Sequence, residues 1–441
     1  MVRIQLPRKA EDIIEKIQAA GYEAYAVGGC IRDSILGKEP DDWDITTSAK
    51  PEEVKMLFDR TIDTGIQHGT VTVMIGKEGF EITTYRIDGK YEDSRHPKDV
   101  TFTSNLKEDL RRRDFTINAM AYNSKDRLID LYEGVQDMKQ GLIRCVGDAE
   151  ERFTEDALRM MRAVRFSAQL GYAIEENTKK AIRKLAPTIQ NISAERIRTE
   201  LVKLMTSAHP DFFRIAYETG ITAQVFPEFD ICMETEQNNP HHCYSVGEHI
   251  LHTLSYVEND KVLRLAMLFH DIGKPRTLTI DEEGITHNHG HAAVGEELTV
   301  RILKRLKFDN DTIDKVKKLV RYHDRKIETN AKSIRRAVSD IGEDIFPLLF
   351  SVKYADIMAQ SEYQRDEKLS ELETLKSIYG RIIEEKNCLS LKDLAVTGGD
   401  LIAAGMKPGR EIGTALHKLL EVVLEEPEHN QKEYLLSLLQ L

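Results

Sequence analysis

Residues 27–46 read Val-Gly-Gly-Cys-Ile-Arg-Asp-Ser-Ile-Leu-Gly-Lys-Glu-Pro-Asp-Asp-Trp-Asp-Ile-Thr, and two features of this stretch can do chemistry. Gly28 and Gly29 follow the end of a short strand-like run and open an apparent helix. A glycine pair lets the backbone turn sharply and come close to a ligand. The helix behind it offers free N–H groups and a positive dipole end to a phosphate. Arg32 adds a fork of donors one turn in. Further along, Asp42 and Asp44 flank Trp43. A strand's period of two would send both carboxylates to one face and the indole to the other. Two carboxylates on one face repel unless a cation lies between them. Mg²⁺ accepts that arrangement, with a substrate's phosphates completing its shell. A glycine turn followed by a solvated acidic strand end is the plain alternative for either half alone.

Three more stretches carry dense polar chemistry. Residues 109–119 are Asp-Leu-Arg-Arg-Arg-Asp-Phe-Thr-Ile-Asn-Ala. Residues 155–166 are Glu-Asp-Ala-Leu-Arg-Met-Met-Arg-Ala-Val-Arg-Phe, which sets Asp156, Arg159, Arg162 and then Arg165 along one side of an expected helix. On its own, such a run reads as an exposed salt-bridged face. After Pro227 come His241, His242, His249 and His252, then His270-Asp271 at the end of an apolar run, then His287, His289, His291, His323-Asp324 and Asp356. An adjacent His-Asp on a buried helix with no metal would be a costly polar burial.

The order Gly-Gly, spacer, Asp-x-Asp resembles the signature of the nucleotidyltransferase superfamily related to DNA polymerase β. The longer form, Gly28-Gly29-x-x-Arg32-Asp33 followed by Asp42-x-Asp44-x-x-Thr47, is similar to the bacterial class II CCA-adding enzymes and poly(A) polymerases. That resemblance implies a nucleotide bound by Gly28, Gly29 and Arg32, and Mg²⁺ bound by Asp42 and Asp44. It makes Glu81, in Phe80-Glu81-Ile82-Thr83-Thr84-Tyr85-Arg86, the third carboxylate. Arg113 would contact the nucleotide and Asp114 the ribose hydroxyl, a contact that favours ribose over deoxyribose. Asp130-x-x-x-Gly134-x-x-Asp137 would be a hinge between head and neck. Asp156 and Arg159 would serve as an amino-acid template, with Arg162 and Arg165 serving phosphates or the framework.

The template has a physical logic. Asp accepts hydrogen bonds and Arg only donates. Cytosine and adenine each present an amino donor beside a ring-nitrogen acceptor; uracil and guanine present the reverse. An Asp–Arg pair therefore matches C and A and leaves U and G unpaired, at a cost large enough for strong discrimination. The run Ser193-Ala-Glu-Arg-Ile-x-x-Glu-Leu201 is also similar to the family, and reads as a structural buttress opened by a Ser193 cap. The histidine-rich region resembles the HD phosphohydrolase domain. The matching metal ligands are His249, His270, Asp271 and Asp356, while His291 and His323 would join a second metal or a substrate phosphate. The polar, aperiodic stretch 87–105 reads as a long exposed loop. The resemblance makes it the loop needed to add the terminal A, which argues against an enzyme that adds only C.

These groups need elements to hold them. Helices are expected over 8–20 and 51–58, and strands over 60–63, 69–76 and 80–86, the last two joined by Gly76-Lys77-Glu78-Gly79. The fold class expected is α+β: a small mixed α/β nucleotidyltransferase head followed by an all-helical neck, an HD-type body and a tail. Expected boundaries are 1–145 for the head, 146–225 for the neck, 226–375 for the HD-like domain and 376–441 for a tail that grips tRNA.

Composition bounds the rest. The 441 residues are 41% hydrophobic and 31% charged, as expected of a soluble globular protein with ample core. No apolar run is long enough to span a bilayer, and the first residues lack the apolar centre of a signal peptide. Five scattered cysteines without Cys-x-x-Cys pairing read as reduced thiols in a cytoplasmic protein. A net charge of −12 weighs mildly against nucleic acid, but residues 111–113 and the stretches 159–203 and 301–326 are locally basic.

The function these readings converge on is template-independent addition of C, C and A to the tRNA 3′ end. It would use CTP and ATP and release pyrophosphate by a two-Mg²⁺ mechanism on Asp42 and Asp44, with a further divalent metal in the HD domain. The tRNA acceptor end, ATP and CTP are the expected partners, with no membrane and no protein partner. The alternatives are an A-adding tRNA nucleotidyltransferase or poly(A) polymerase, an HD-type phosphohydrolase with an RNA-binding head, and a non-catalytic RNA-binding protein. The last has no need of paired carboxylates.

Overall fold

The structure is a computed structural model that describes residues 4–89 and 100–439. The chain forms two compact units, Met1–Pro227 and Glu228–Leu441. The first is an α+β head with a helical extension; the second is helical apart from one short hairpin.

The head is built on a seven-stranded sheet. Its strands are β1 (Ala24–Val27), β2 (Ile45–Thr47), β3 (Thr61–Gly65), β4 (Thr70–Ile75), β5 (Glu78–Thr84), β8 (Met120–Asn123) and β9 (Arg127–Asp130), in the spatial order β3-β4-β5-β2-β1-β8-β9. A separate ribbon pairs β6 (Arg86–Asp88) with β7 (Val100–Phe102). β1 and β8 are buried throughout, as fits their apolar, β-branched and aromatic content. β4 and β5 form a hairpin whose turn uses Gly76 at φ 65°. Helix α1 (Arg8–Ala19) buries Ala10, Ile13, Ile14 and Ile17 along one stripe. Helices α2 (Gly29–Ile35), α3 (Pro51–Leu57), α4 (Leu106–Arg111) and α5 (Gly134–Gln140) complete the head. The α5 N-terminus is capped by Asp130, whose oxygens accept from Gly134 N at 2.8 Å and Val135 N at 2.9 Å. A side chain at Gly134 would collide with the Thr116 carbonyl, so only glycine allows this close packing.

The helical extension comprises α6 (Ala149–Glu155), α7 (Leu158–Leu170), α8 (Glu176–Leu185) and α9 (Ala194–Met205). Helices α7 and α9 pack together through a buried ion pair, Arg165 to Glu200 at 2.6 Å. In the second unit, helices Val246–Thr253, Lys261–Phe269, His291–Arg305, Asn310–Tyr322 and Leu348–Ala359 supply the histidines and aspartates of the HD-like region. The terminal helices Gly398–Ala403, Arg410–Glu425 and Lys432–Ser437 close on an apolar cluster that includes Leu401, Leu419, Val423 and Leu435. Arg335 ties that cluster to helix Ala331–Ile341 by donating to the carbonyls of Leu424 at 2.8 Å and Glu425 at 2.7 Å, the free end of helix Arg410–Glu425. Among the described residues, no helix is long and apolar enough to cross a membrane.

Four local expectations are corrected. Asp42, Trp43 and Asp44 lie just before β2 and not in it, although Val27 N still bonds the Asp44 carbonyl at 3.0 Å. The run 155–166 is not one continuous helix: α6 ends at Glu155 and Asp156 has extended φ −139°, its carboxylate accepting from Leu158 N at 3.1 Å. An aspartate whose carboxylate takes the N–H two residues on competes with helical hydrogen bonding, which explains the break. The two ends of the expected loop pair as β6 and β7, while residues 90–99 lie outside the described residues. Ser193 occupies the N-cap position of α9 but its hydroxyl makes no cap bond.

Candidate active site

The first group of site residues gathers where β1, β2 and β5 run side by side. β2 and β5 are parallel, with Ile45 opposite Ile82. Stepping that register back by one residue sets Asp44 beside Glu81. Loss of water and the nearby Asp42 carboxylate push the Asp44 carboxyl up to about 6, with Glu81 adding to the effect and Arg113 opposing it. The three carboxylates expected from sequence are thus electrostatic neighbours. Hard oxygen donors of this kind suit a divalent cation.

Gly28 forms the approach to this group. It caps α2 at φ 86°, and a Cβ there would lie 3.1 Å from Arg113 Nη1. Arg113 also lies 3.5 Å from the buried carboxylate of Asp109. Arg32, one turn into α2, forks onto Asp33 with Nε at 2.9 Å and Nη2 at 2.8 Å, and its Nη1 donates to Asn118 Oδ1 at 2.7 Å. N–H groups on both Nη atoms remain for a ligand.

Asp114 is buried and densely held. Its Oδ1 accepts from Phe115 N at 2.8 Å and from Asn118 Nδ2 at 3.2 Å; its Oδ2 accepts from Arg162 Nε at 2.8 Å and Nη2 at 2.6 Å. Burial alone would raise this carboxyl, but Arg162, with Arg159 and Asn118 adding to it, holds the group at about 2. Arg162 is therefore the partner of Asp114. Arg165 is framework, paired with Glu200 behind the site.

Asp156 and Arg159 sit on either side of the helix break, each with a partner the sequence reading did not single out. Asp156 accepts from Arg196 of α9, Nη2 to Oδ2 at 2.7 Å and Nη1 to Oδ1 at 3.3 Å. Arg159 donates to Glu155 at 2.6 Å and to the carbonyls of Arg152 at 3.1 Å and Arg112 at 2.9 Å. Asn118, Phe166, Arg196 and Glu200 all lie within the motif stretches, but nothing in their spacing shows which group each faces.

The poly(A) polymerase head domain family matches residues 24–144, an RNA and SrmB-binding site of polymerase A matches 171–233, and a tRNA nucleotidyltransferase domain 2 family matches 281–439. A CCA-adding enzyme of Leuconostoc mesenteroides is 39% identical over 422 residues, covering 94% of this chain and 92% of its own. The chain belongs to the CCA-adding enzyme family. A crystal structure of the Bacillus stearothermophilus CCA-adding enzyme in complex with CTP superposes with a TM-score of 0.74 at 28% identity, covering 99% of this chain and 98% of that one. A Thermotoga maritima CCA-adding enzyme complexed with tRNA shares the fold, with a TM-score of 0.61 at 20% identity over 99% of this chain and 96% of that one.

This CCA-adding chain carries a second constellation in Glu228–Leu441, with four imidazoles arranged about Asp271. His249 Nε2 and His270 Nε2 face each other at 3.2 Å, and His291 Nε2 and His323 Nε2 at 3.1 Å. Asp271 Oδ2 lies 3.6 Å from His249 and 3.4 Å from His270; its Oδ1 lies 3.5 Å from both His291 and His323. Asp356 Oδ1 is 2.9 Å from His249 Nε2. The Nδ1 atoms face backbone carbonyls: Ala359 for His249, Met267 for His270, Asn288 for His291 and Val320 for His323. A carbonyl only accepts, so each Nδ1 carries a proton and each Nε2 is turned to the centre of the group. Facing Nε2 atoms at such distances need either a proton on one ring or a metal cation between them. This donor set fits two divalent metals that share Asp271, with the carbonyls orienting the rings. His249, His270, Asp271 and Asp356 come together as expected, and His291 and His323 complete the second half.

Proposed function

We propose that the first unit of this CCA-adding enzyme holds Mg²⁺ on Asp42 and Asp44, with Glu81 completing the carboxylate group. CCA-adding enzymes build the tRNA 3′ end from CTP and ATP, and the tRNA acceptor end is the acceptor here. When bound, the metal ions activate the RNA 3′-hydroxyl and neutralise charge on the departing pyrophosphate. The protein's own part is positioning and charge. Gly28 and Gly29 bring the backbone and the α2 N-terminus to the triphosphate, and Arg32 and Arg113 add donors. Asp114, kept ionised by Arg162, accepts from the ribose hydroxyl. Asp156 accepts from the amino group of C or A while Arg159 donates to the neighbouring ring nitrogen, and Arg196 and Glu155 orient the two. The observation that carries this reading is the parallel β2–β5 register that sets Asp44 beside Glu81, where loss of water and then Asp42 raise the Asp44 carboxyl.

The test uses tRNA transcripts ending at the discriminator base, at C and at CC, each with Mg²⁺ and with ATP, CTP or both. Completion to CCA with UTP and GTP ignored is the expected result. Addition of A only to the CC-ended RNA would make the chain an A-adding enzyme. Untemplated A tails on any RNA would make it a poly(A) polymerase.

The facing Nε2 pairs favour a second reading, that the body binds divalent metal at His249, His270, Asp271 and Asp356, with His291 and His323 facing the other oxygen of Asp271. Metal analysis of the purified chain by plasma mass spectrometry should find transition metal that H270A loses. Equal metal content in both proteins would remove this reading and leave the head's activity untouched. The finer domain boundaries at 145, 225 and 375, and a cytoplasmic location, belong to the same proposal.

A further inference from the structure

Phe166, buried at 5% exposure on α7, lies among three guanidinium groups. Arg165 is centred 3.9 Å from its ring centroid, Arg32 5.1 Å and Arg162 5.3 Å. Each arginine has its own carboxylate: Arg32 pairs with Asp33 at 2.8 Å, Arg162 with Asp114 at 2.6 Å and Arg165 with Glu200 at 2.6 Å. Phe115 meets the same ring edge-on at 5.7 Å.

These contacts form a closed circuit. Arg32 Nη1 donates to Asn118 Oδ1 at 2.7 Å; Asn118 Nδ2 donates to Asp114 Oδ1 at 3.2 Å; Arg162 Nε donates to Asp114 Oδ2 at 2.8 Å. Arg32 and Arg162 then both return to Phe166. Three like charges so close repel, and a benzene ring is the apolar side chain whose faces attract cations. An aliphatic group of similar bulk would fill the space without that attraction.

We infer that Phe166 is a positioning residue for ribose selection, holding Arg32 and Arg162 in place so that Asp114 meets the sugar and Arg32 the phosphates of one nucleotide. The inference rests on the assignment of Asp114 to the ribose and Arg32 to the triphosphate. It separates sugar from base. The circuit Arg32–Asn118–Asp114–Arg162 runs through Phe166, whereas Asp156 is held from α9 by Arg196 and Arg159 by Glu155.

The test compares F166L, F166Y and D114N in the full-length enzyme on CC-ended tRNA, with ATP against dATP and ATP against GTP. F166L should raise the KM for ATP about tenfold and cut the ATP-over-dATP preference by a similar factor, with the ATP-over-GTP preference unchanged. F166Y, which keeps the ring, should restore both values. Loss of sugar and base selectivity in equal measure in F166L, or failure of F166Y to rescue although its melting temperature matches wild type, would overturn the inference. D114N separates the two levels. If D114N leaves the dATP preference intact, the ribose assignment fails; if D114N loses it and F166L does not, only the role of Phe166 fails.

Discussion

Asp44 and Asp114 are two site carboxylates driven in opposite directions by their surroundings, the first at the surface and the second buried. Asp44 is pushed up to about 6 by lost water and by Asp42, whereas Asp114 is held at about 2 because Arg162, Arg159 and Asn118 together overcome its burial. A carboxylate that is costly to ionise awaits a cation; one already paired is ready to accept a hydrogen bond. D42N and D44N should each lower the rate of nucleotide addition on the order of 10³-fold, as expected for loss of a metal ligand in a positioning-dominated transfer. Neither change should lower the melting temperature, since each relieves carboxylate repulsion, and a fall in melting temperature would argue against the crowding. Asp114 has the opposite linkage. Its folded value lies below the unfolded 3.8, so its stabilisation is complete above pH 3.8 and is lost as pH falls toward 2. The difference is about 2 kcal/mol. Urea titrations between pH 5 and pH 3 should show a shallower acid loss for D114N than for wild type. Parallel pH profiles would refute the assignment.

At the scale of elements, the break between α6 and α7 is the decisive local feature. It turns Asp156 out of the helix and into reach of Arg196 from α9, while Arg159 stays on α7 with Glu155 at the end of α6. Helical periodicity places these residues on one continuous face, and the capping tendency of aspartate overrides it. Removing Arg196 by R196A should leave the Asp156 carboxylate loosely oriented. Discrimination of CTP over UTP should then fall by at least about tenfold with nucleotide addition retained, measurable by misincorporation on the discriminator-ended transcript. The contact between α7 and α9 has a second anchor in the buried Arg165–Glu200 pair. Truncating one partner strands a buried charge, so E200A should destabilise the first unit by about 3–5 kcal/mol, measured by chemical denaturation. A loss under about 1 kcal/mol would mean that water reaches the pair.

At the scale of the molecule, the two units Met1–Pro227 and Glu228–Leu441 hold chemically distinct centres: carboxylates and arginines in one, imidazoles about Asp271 in the other. Ligands for one should stabilise that unit through binding to its folded state, by about 2.7 kcal/mol at a hundredfold excess over Kd. Differential scanning calorimetry should show Mg²⁺ with CTP raising the transition that E200A lowers, and Mn²⁺ raising the one that H270A lowers. A single transition moved equally by both additions would show that the units unfold as one.

The chain's own order of residues determined the identity of nearly every charged group in both centres. Gly28-Gly29, Asp-x-Asp, the Arg113-Asp114 pair and the His270-Asp271 pair are local signals, because each depends on a turn, a strand edge or a helix end that neighbouring residues encode. The amphipathic α1 and the β4–β5 hairpin were legible for the same reason. Tertiary structure alone decided the partners. Glu81 meets Asp44 through a parallel strand register, Arg196 meets Asp156 across two helices, and Phe166 of α7 meets Arg32 of α2. Those pairings join residues tens of positions apart. They follow from how whole elements bury their apolar faces, and no window of sequence contains that information.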